Sequence, residues 1–320
     1  EYALRLSKDR TFMIDFRYHL VSLISVFLAL AVGVVLGAGP LQNSLGTALN
    51  DQVTSLRENR KATQTQLEQT EAAVNDRDGY ITAAAAAYLP GTLDGKKVAL
   101  AVLPDTESDD VEGIAAQVEA AGGKISGRVS LTTAWVDPSR ETFRQTYSGQ
   151  FAPHLGKTTS TDGNGVLGEG LGTALTSDSE SAKALMDLLT ATDSPLVSVD
   201  AKPSGPADMV VVVGPHSPDA ADPKSTETAD SLAQTAASWA TALTGTAATA
   251  TTVIVGAADA DNDVVSVLRA DKSSVTTIDS VGQVAAAVST PLALASTASG
   301  TKGHYGFDKG VDAVMPPVSR

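Results

Sequence analysis

Apolar and polar positions alternate along the chain in three different ways, and the changes divide it. The first pattern is unbroken: Leu20 to Gly39, twenty positions, holds no charged residue. At about 1.5 Å per residue this predicts a helix of roughly 30 Å, the thickness of a bilayer's hydrocarbon core. Only Ser22 and Ser25 interrupt it, and both hydroxyls are satisfied by carbonyls one turn earlier in a helix. A cleaved export signal has a shorter apolar region of about 7–15 residues. Gly37-Ala38-Gly39 has the small side chains of a cleavage site, but the length favours a retained anchor over a signal or a buried core helix.

Arg5, Lys8, Arg10 and Arg17 precede this segment, and the next basic residue is Arg57. The side richer in Lys and Arg stays cytoplasmic. The expected arrangement is a cytoplasmic leader (1–19), one transmembrane helix (20–39) in the cytoplasmic membrane with the N-terminus inside, and a periplasmic remainder. Met13 looks like a natural start; with that start, Arg17 and the amino terminus set the orientation.

The second pattern is heptad. With Val53 at position a, Arg60, Leu67, Val74, Ile81 and Tyr88 follow at a, while Leu49, Leu56, Thr63, Thr70 and Arg77 occupy d. Position a is apolar except at Arg60; position d turns polar from Thr63 onward. This predicts a coiled-coil stalk over 41–90 with a seam weakened on one side, joined to the anchor around Gly33, Gly37, Gly39 and Pro40. One reading is a spacer and homodimerisation rod. The other is a docking helix, whose polar d positions leave it able to accept a different partner. Leu49, Val53, Leu56, Leu67, Val74 and Ile81 are the expected seam residues, and Arg60, Glu68 and Glu71 the polar ones that tune partner choice.

From residue 95 the pattern becomes short apolar runs alternating with amphipathic stretches. "KKVALAVLPD", "KISGRVSL", "DMVVVVGP", "TTVIVGA" and "SSVTTID" read as strands. "SDDVEGIAAQVEAAGG" reads as a helix with Ile114, Ala115 and Val118 inward, and its Asp109 and Glu112 have the spacing of a capping box. Leu232, Ala236, Trp239 and Leu243 mark another helix, and "NDVVSVLRA" a short one. Continuous apolar strands between helices imply a parallel sheet covered on both faces. The expected fold class is therefore α/β: anchor, stalk, and a Rossmann-like globular domain over 95–320.

The chemistry-bearing residues point away from an enzyme. With no cysteine among 320 residues, disulfides, thiolate metal sites and cysteine nucleophiles are excluded. The net charge of −14 opposes nucleic acid as a partner. Residues 163–168, "GNGVLG", match G-x-G-x-x-G, but no apolar strand precedes them, so they read as a chance match and not as a dinucleotide loop. Asp105, Glu107, Asp109 and Asp110 suit a hard cation, or more simply the acidic first turn of a helix. His19, His154, His216 and His304 stand apart, as do Met13, Met186, Met209 and Met315, so no copper-ligand cluster, other metal site or cofactor site is legible.

The opening "MIDFRYHLVSLISVFLALAVGVVLGAGPL" and the tail "GTKGHYGFDKGVDAVMPP" resemble those of the actinobacterial copper transporter MctB family, called SteB in its corynebacterial members. The resemblance runs essentially from Met13 to the end. It implies one of two roles. The first is an envelope protein limiting copper accumulation, conceived as an outer-membrane channel. The second is a partner of a SteA-like membrane protein in cell separation, whose coiled coil binds and activates a secreted NlpC/P60 (RipA-type) peptidoglycan hydrolase. A membrane β-barrel needs many strands of about ten alternating residues, which one apolar helix and βαβ units do not supply. The expectation is therefore the cell-separation role, for a homodimer without catalysis, with copper homeostasis as the alternative.

Overall fold

The computed structural model describes residues 2–37, 41–191, 193–217 and 228–318, with side chains from residue 16 in the first helix and from residue 48 in the second. Of the joint expected around Gly33, Gly37, Gly39 and Pro40, Gly33 and Gly37 lie within helix α1, and residues 39 and 40 lie outside the described residues. The chain divides into two compact units, Glu1–Val74 and Asn75–Arg320.

Helix α1 (Tyr2–Gly37) contains the stretch Phe16–Gly37, 22 residues with a mean hydropathy of 2.7 and none of it buried. Its apolar side chains, from Phe16 to Leu36, face outward all round, as a helix in lipid requires. Ser25 donates its hydroxyl to the carbonyl of Val21 at 2.8 Å. Helix α2 (Leu41–Tyr88) is one uninterrupted helix of 48 residues. Thr63 and Thr70, the polar d positions, satisfy their hydroxyls on the carbonyls one turn back.

The globular unit is a seven-stranded sheet in the order β3-β2-β1-β4-β5-β6-β7. The strands are β1 (Lys97–Val102), β2 (Lys124–Leu131), β3 (Val197–Ala201), β4 (Met209–Val213), β5 (Thr252–Val255), β6 (Thr276–Ile278) and β7 (His304–Tyr305). All pair in parallel except β3, an antiparallel edge strand on β2. That edge strand and the short β7 were not legible in the apolar pattern. β3 reads VSVDA and is buried only at Val197, so it lacks the run that marks central strands.

The unbroken apolar runs follow from the two-sided core. Ala99, Ala101, Val210, Val212 and Ile254 face one layer, with Trp239 and Leu243. Val98, Leu100, Val211, Val213 and Val255 face the other, with Ile114 and Val118. Successive strand residues point to opposite faces, so a sheet covered twice needs every position apolar. Helices α3 (Ser108–Ala120) and α9 (Val284–Ala298) cover the second layer. Helices α4 (Glu141–Ser148), α5 (Gly163–Thr176), α6 (Glu180–Thr190), α7 (Ala229–Thr249) and α8 (Val264–Ala270) cover the first. The last turns of α2 also belong to the second layer, through Ala85 and Leu89 with Ile81 packed beside them.

The capping box expected at Asp109 and Glu112 does not form. Glu107 is the N-cap of α3 and its side chain makes no capping bond. Glu112 instead pairs with Arg128 of β2 at 2.7 Å, because one turn inside the helix it faces the neighbouring strand.

Residues 163–168 do open a helix, though no strand leads into it. Asp162 caps α5 by accepting from the amides of Asn164 and Gly165. The glycines serve packing: a Cβ on Gly172 would lie 2.3 Å from Thr249 Oγ1, and one on Gly245 2.1 Å from the carbonyl oxygen of Gly165. Helices α5 and α7 thus meet where a Cβ would collide with the facing backbone, an approach only glycine permits.

Candidate functional site

The sheet reverses its winding between β1 and β4. From β1 the chain passes to α3 on one face; from β4 it passes to α7 on the other. A crevice opens beyond the carboxyl ends of two such strands, the usual ligand position in open parallel sheets. Here the ends are pinned together. Leu103 donates its amide to the carbonyl of Val213 at 2.9 Å, and Thr106 donates its hydroxyl to the carbonyls of Leu103 and Val213 at 2.8 and 3.2 Å. Asp105, between them, holds a left-handed conformation at φ 61°.

The crevice is a cleft of about 420 Å³, within the size range of small-molecule sites. Leu103, Ile254, Val265 and Trp239 form much of its wall, and Asp105, Asp137, Ser231, Thr235, Asn262 and Asp263 bring polar groups to it. Trp239 stacks against Trp135 at 6.1 Å between ring centroids. Asp263 is buried; it accepts from the Ser217 hydroxyl and the Ala260 amide.

On the other side of His216, the donor atoms of Glu107, Asp110 and His216 all lie within 4.8 Å of one another. His216 Nε2 is 2.8 Å from Asp110 Oδ2, with the Asp110 side chain nearly covered. Two carboxylates and one imidazole suit Cu(II), Zn(II) or Ni(II), and lack the thiolate or thioether that Cu(I) favours. The sequence showed Glu107 and Asp110 as two of four acidic residues with Asp105 and Asp109; it did not show that the turn after β4 carries His216 to them, 106 residues along the chain from Asp110. His154 and His304 do not join this group. His154 ends a short 3₁₀ turn, Ala152–His154. His304 sits on β7 with Nδ1 2.9 Å from Thr277 Oγ1, and burial, against the pull of Asp312, lowers its pKa below the usual histidine value. Met209 is buried in the second layer of the core, and Met186 packs against the first.

The tail motif has a structural explanation. Asp279, fully buried at the end of β6, accepts from Arg269 Nη1 at 2.9 Å, from the amides of Phe307 and Asp308, and from Ser280. Arg269 in turn reaches the carbonyls of Tyr305 and Lys309. A Cβ on Gly306 would overlap the Asp279 carboxylate.

The expected partner-binding residues lie along α2. Leu49, Val53, Leu56, Leu67 and Val74 are exposed, Leu56 to 68%, and Arg60, Glu68 and Glu71 are exposed with them. Ile81 differs: it is half-buried against the globular core, because the helix docks on the domain from that point.

A profile of the family described as "Copper transport outer membrane protein, MctB" matches residues 13–316. The chain belongs to the MctB family. It is 32% identical over 174 residues to "Copper transporter MctB" of Mycobacterium tuberculosis (strain ATCC 25618 / H37Rv), covering 53% of this chain and 55% of that protein. It is 33% identical over 142 residues to the protein of the same name from Mycobacterium leprae (strain TN), covering 44% of this chain and 45% of that one. The chain thus spans about half the length of these curated relatives. With its apolar N-terminal helix, this MctB family member is membrane-anchored. The family and these relatives carry names of copper transport, and none of those names refers to cell separation.

Proposed function

We propose that this MctB family member acts in copper homeostasis of the cell envelope as a membrane-tethered Cu(II)-binding protein, with the N-terminus inside and the globular domain periplasmic. The family match over residues 13–316 carries the reading. The convergence of Glu107, Asp110 and His216 supplies a donor set for the oxidised ion. Cu(II) binds such ligands more tightly than the other divalent first-row metals. The metal is cargo here. His216 must give up its bond to Asp110 or share it for Nε2 to serve as a ligand. The one described helix able to span a membrane makes no pore by itself, so the role is capture or delivery beside other envelope components.

The test is titration of the full chain, in bilayer discs, with Cu(II) under a competing chelator. One equivalent bound by the wild type and lost in His216→Ala and Asp110→Asn supports the reading. Equal binding by all three chains sinks the site.

A second reading rests on a different observation, the exposed row Leu49, Val53, Leu56, Leu67 and Val74. In this reading α2 is a coiled coil that pairs with itself or with a helix of a SteA-like membrane protein, and binds and activates a RipA-type NlpC/P60 hydrolase during cell separation. Peptidoglycan cleavage by such a hydrolase, with the full chain and with a Leu67→Asp/Val74→Asp variant, separates the readings. Acceleration by the wild type alone supports the stalk, and no acceleration removes it.

A further inference from the structure

The cleft at the β1/β4 crossover has a charge pattern that the copper reading does not use. We infer that it binds a small organic cation, an ammonium or guanidinium group on a short apolar body, and that it excludes nucleotides. In doubly-wound sheets that bind nucleotides, the first βα turn is glycine-rich and offers amides to the phosphates. Here that turn is "LPDTESDD", with no glycine and with Asp105, Glu107, Asp109 and Asp110 in or beside it. A phosphate in the cleft would face the carboxylate of Asp105 on this turn and those of Asp137 and Asp263 across it.

The rest of the cleft agrees. Among its described lining residues there is no lysine or arginine, while Asp105, Asp137 and Asp263 all border it. Asp137 has cations behind it: Arg144 donates to its carbonyl at 2.6 Å, and Arg140 and Arg144 help hold its carboxyl below the usual range, after the bonds from Ser139. Among the described residues Asp263 makes no ion pair; it is only 8% exposed, and its hydrogen bonds there come from a neutral hydroxyl and an amide. A buried carboxylate served by neutral donors alone favours an incoming cation. Beside it, Leu103, Ile254, Val265 and Trp239 desolvate an aliphatic body, and an indole adds attraction for a cation placed over its face. Asp105, strained at φ 61°, sits at the mouth, where such outliers often accompany ligand contacts.

Trp239 is one of only two tryptophans, so intrinsic fluorescence reports on the cleft. The full chain, in discs of neutral phosphatidylcholine, is titrated with agmatine and with 1,5-diaminopentane, then with glutarate and with adenosine diphosphate. The expected result is a saturable fluorescence change with the two cations and none with the anions. Asp263→Asn should weaken agmatine by about fivefold or more, and Leu232→Arg, which adds a fixed cation at the rim, should abolish it. If Asp263→Asn fails to fold by circular dichroism, Asp105→Asn on the exposed turn replaces it, with the same expected weakening. The inference is overturned by the absence of saturable cation binding, by anions binding as tightly as the cations, or by folded carboxylate and Leu232 variants that bind agmatine like the wild type.

Discussion

A Cβ on Gly168 would lie 1.9 Å from the carbonyl oxygen of Ala242, so helix α5 meets helix α7 backbone to backbone. No side chain can be added there without moving one helix. Gly168→Ala should cost about 3 kcal/mol or more, at the upper end of overpacking penalties. Gly156→Ala is the matched control, because nothing lies near its missing Cβ. Thermal unfolding of both variants checks this; equal midpoints would refute the close crossing.

Half-buried His304 and fully buried Asp279 shape how the globular domain responds to acid. Burial lowers the pKa of His304 below its ordinary 6.5, so the folded state resists protonation there. Stability is full above about 6.5 and falls as pH drops toward the lowered value. Asp279 feels burial pushing its pKa up, but the bonds from Phe307, Asp308, Ser280 and Arg269 pull it below its ordinary 3.8 overall. Its contribution is present above that value and is lost as pH falls through the lowered one. The expected unfolding midpoint therefore declines in two stages on acidification, and His304→Gln removes only the first. A single decline below pH 4 in the wild type would contradict this.

Asp308 is shifted the other way. Burial and the charges of Asp279, Asp259 and Asp263 raise its pKa, so ionisation at neutral pH works against the fold. Its amide, not its carboxylate, is what Asp279 uses. Asp308→Asn should raise the melting temperature at pH 7 and have little effect near pH 3. An unchanged or lower melting temperature at pH 7 would count against it.

The stalk makes a prediction independent of any partner. If the seam pairs, the full chain in detergent is dimeric, and Leu67→Asp with Val74→Asp returns it to monomer while Leu56→Ala weakens it by about 1–3 kcal/mol. Analytical ultracentrifugation decides; a monomeric wild type would leave the seam to another protein.

The central strands were legible in the sequence because each is a run of apolar residues: MVVVV in β4 and TVIV in β5 face two cores at once. The anchor was legible for a similar reason, since lipid tolerates no polar face. Other parts depended on contacts between distant residues. Helix α5 reads as a glycine-rich loop, GNGVLGEGLGT, and its helical state comes from burial against α7, which overrides poor glycine propensity. The buried Glu169 within it accepts from the amides and hydroxyls of Thr159 and Ser160, bonds that no local pattern announces. His216 was equally hidden, because the sheet order alone brings the end of β4 beside the turn after β1. The heptad pattern was legible but incomplete in what it could say: the same positions face solvent at Leu67 and the domain core near Ile81.

The clamp around Asp279 has a consequence for the order in which the chain is made. Arg269 and Asp279 emerge early enough to meet, but the two amides that finish the carboxylate's bonding belong to Phe307 and Asp308. Until those two residues arrive, a buried charge lacks half its hydrogen-bond partners, a deficit of several kcal/mol by the usual cost of underserved buried ions. A chain ending at residue 305 would keep β1 to β7 and still leave the Asp279 carboxylate without these two amides. The carboxylate of Asp279 is thus fully served only once residues 307 and 308 are in place.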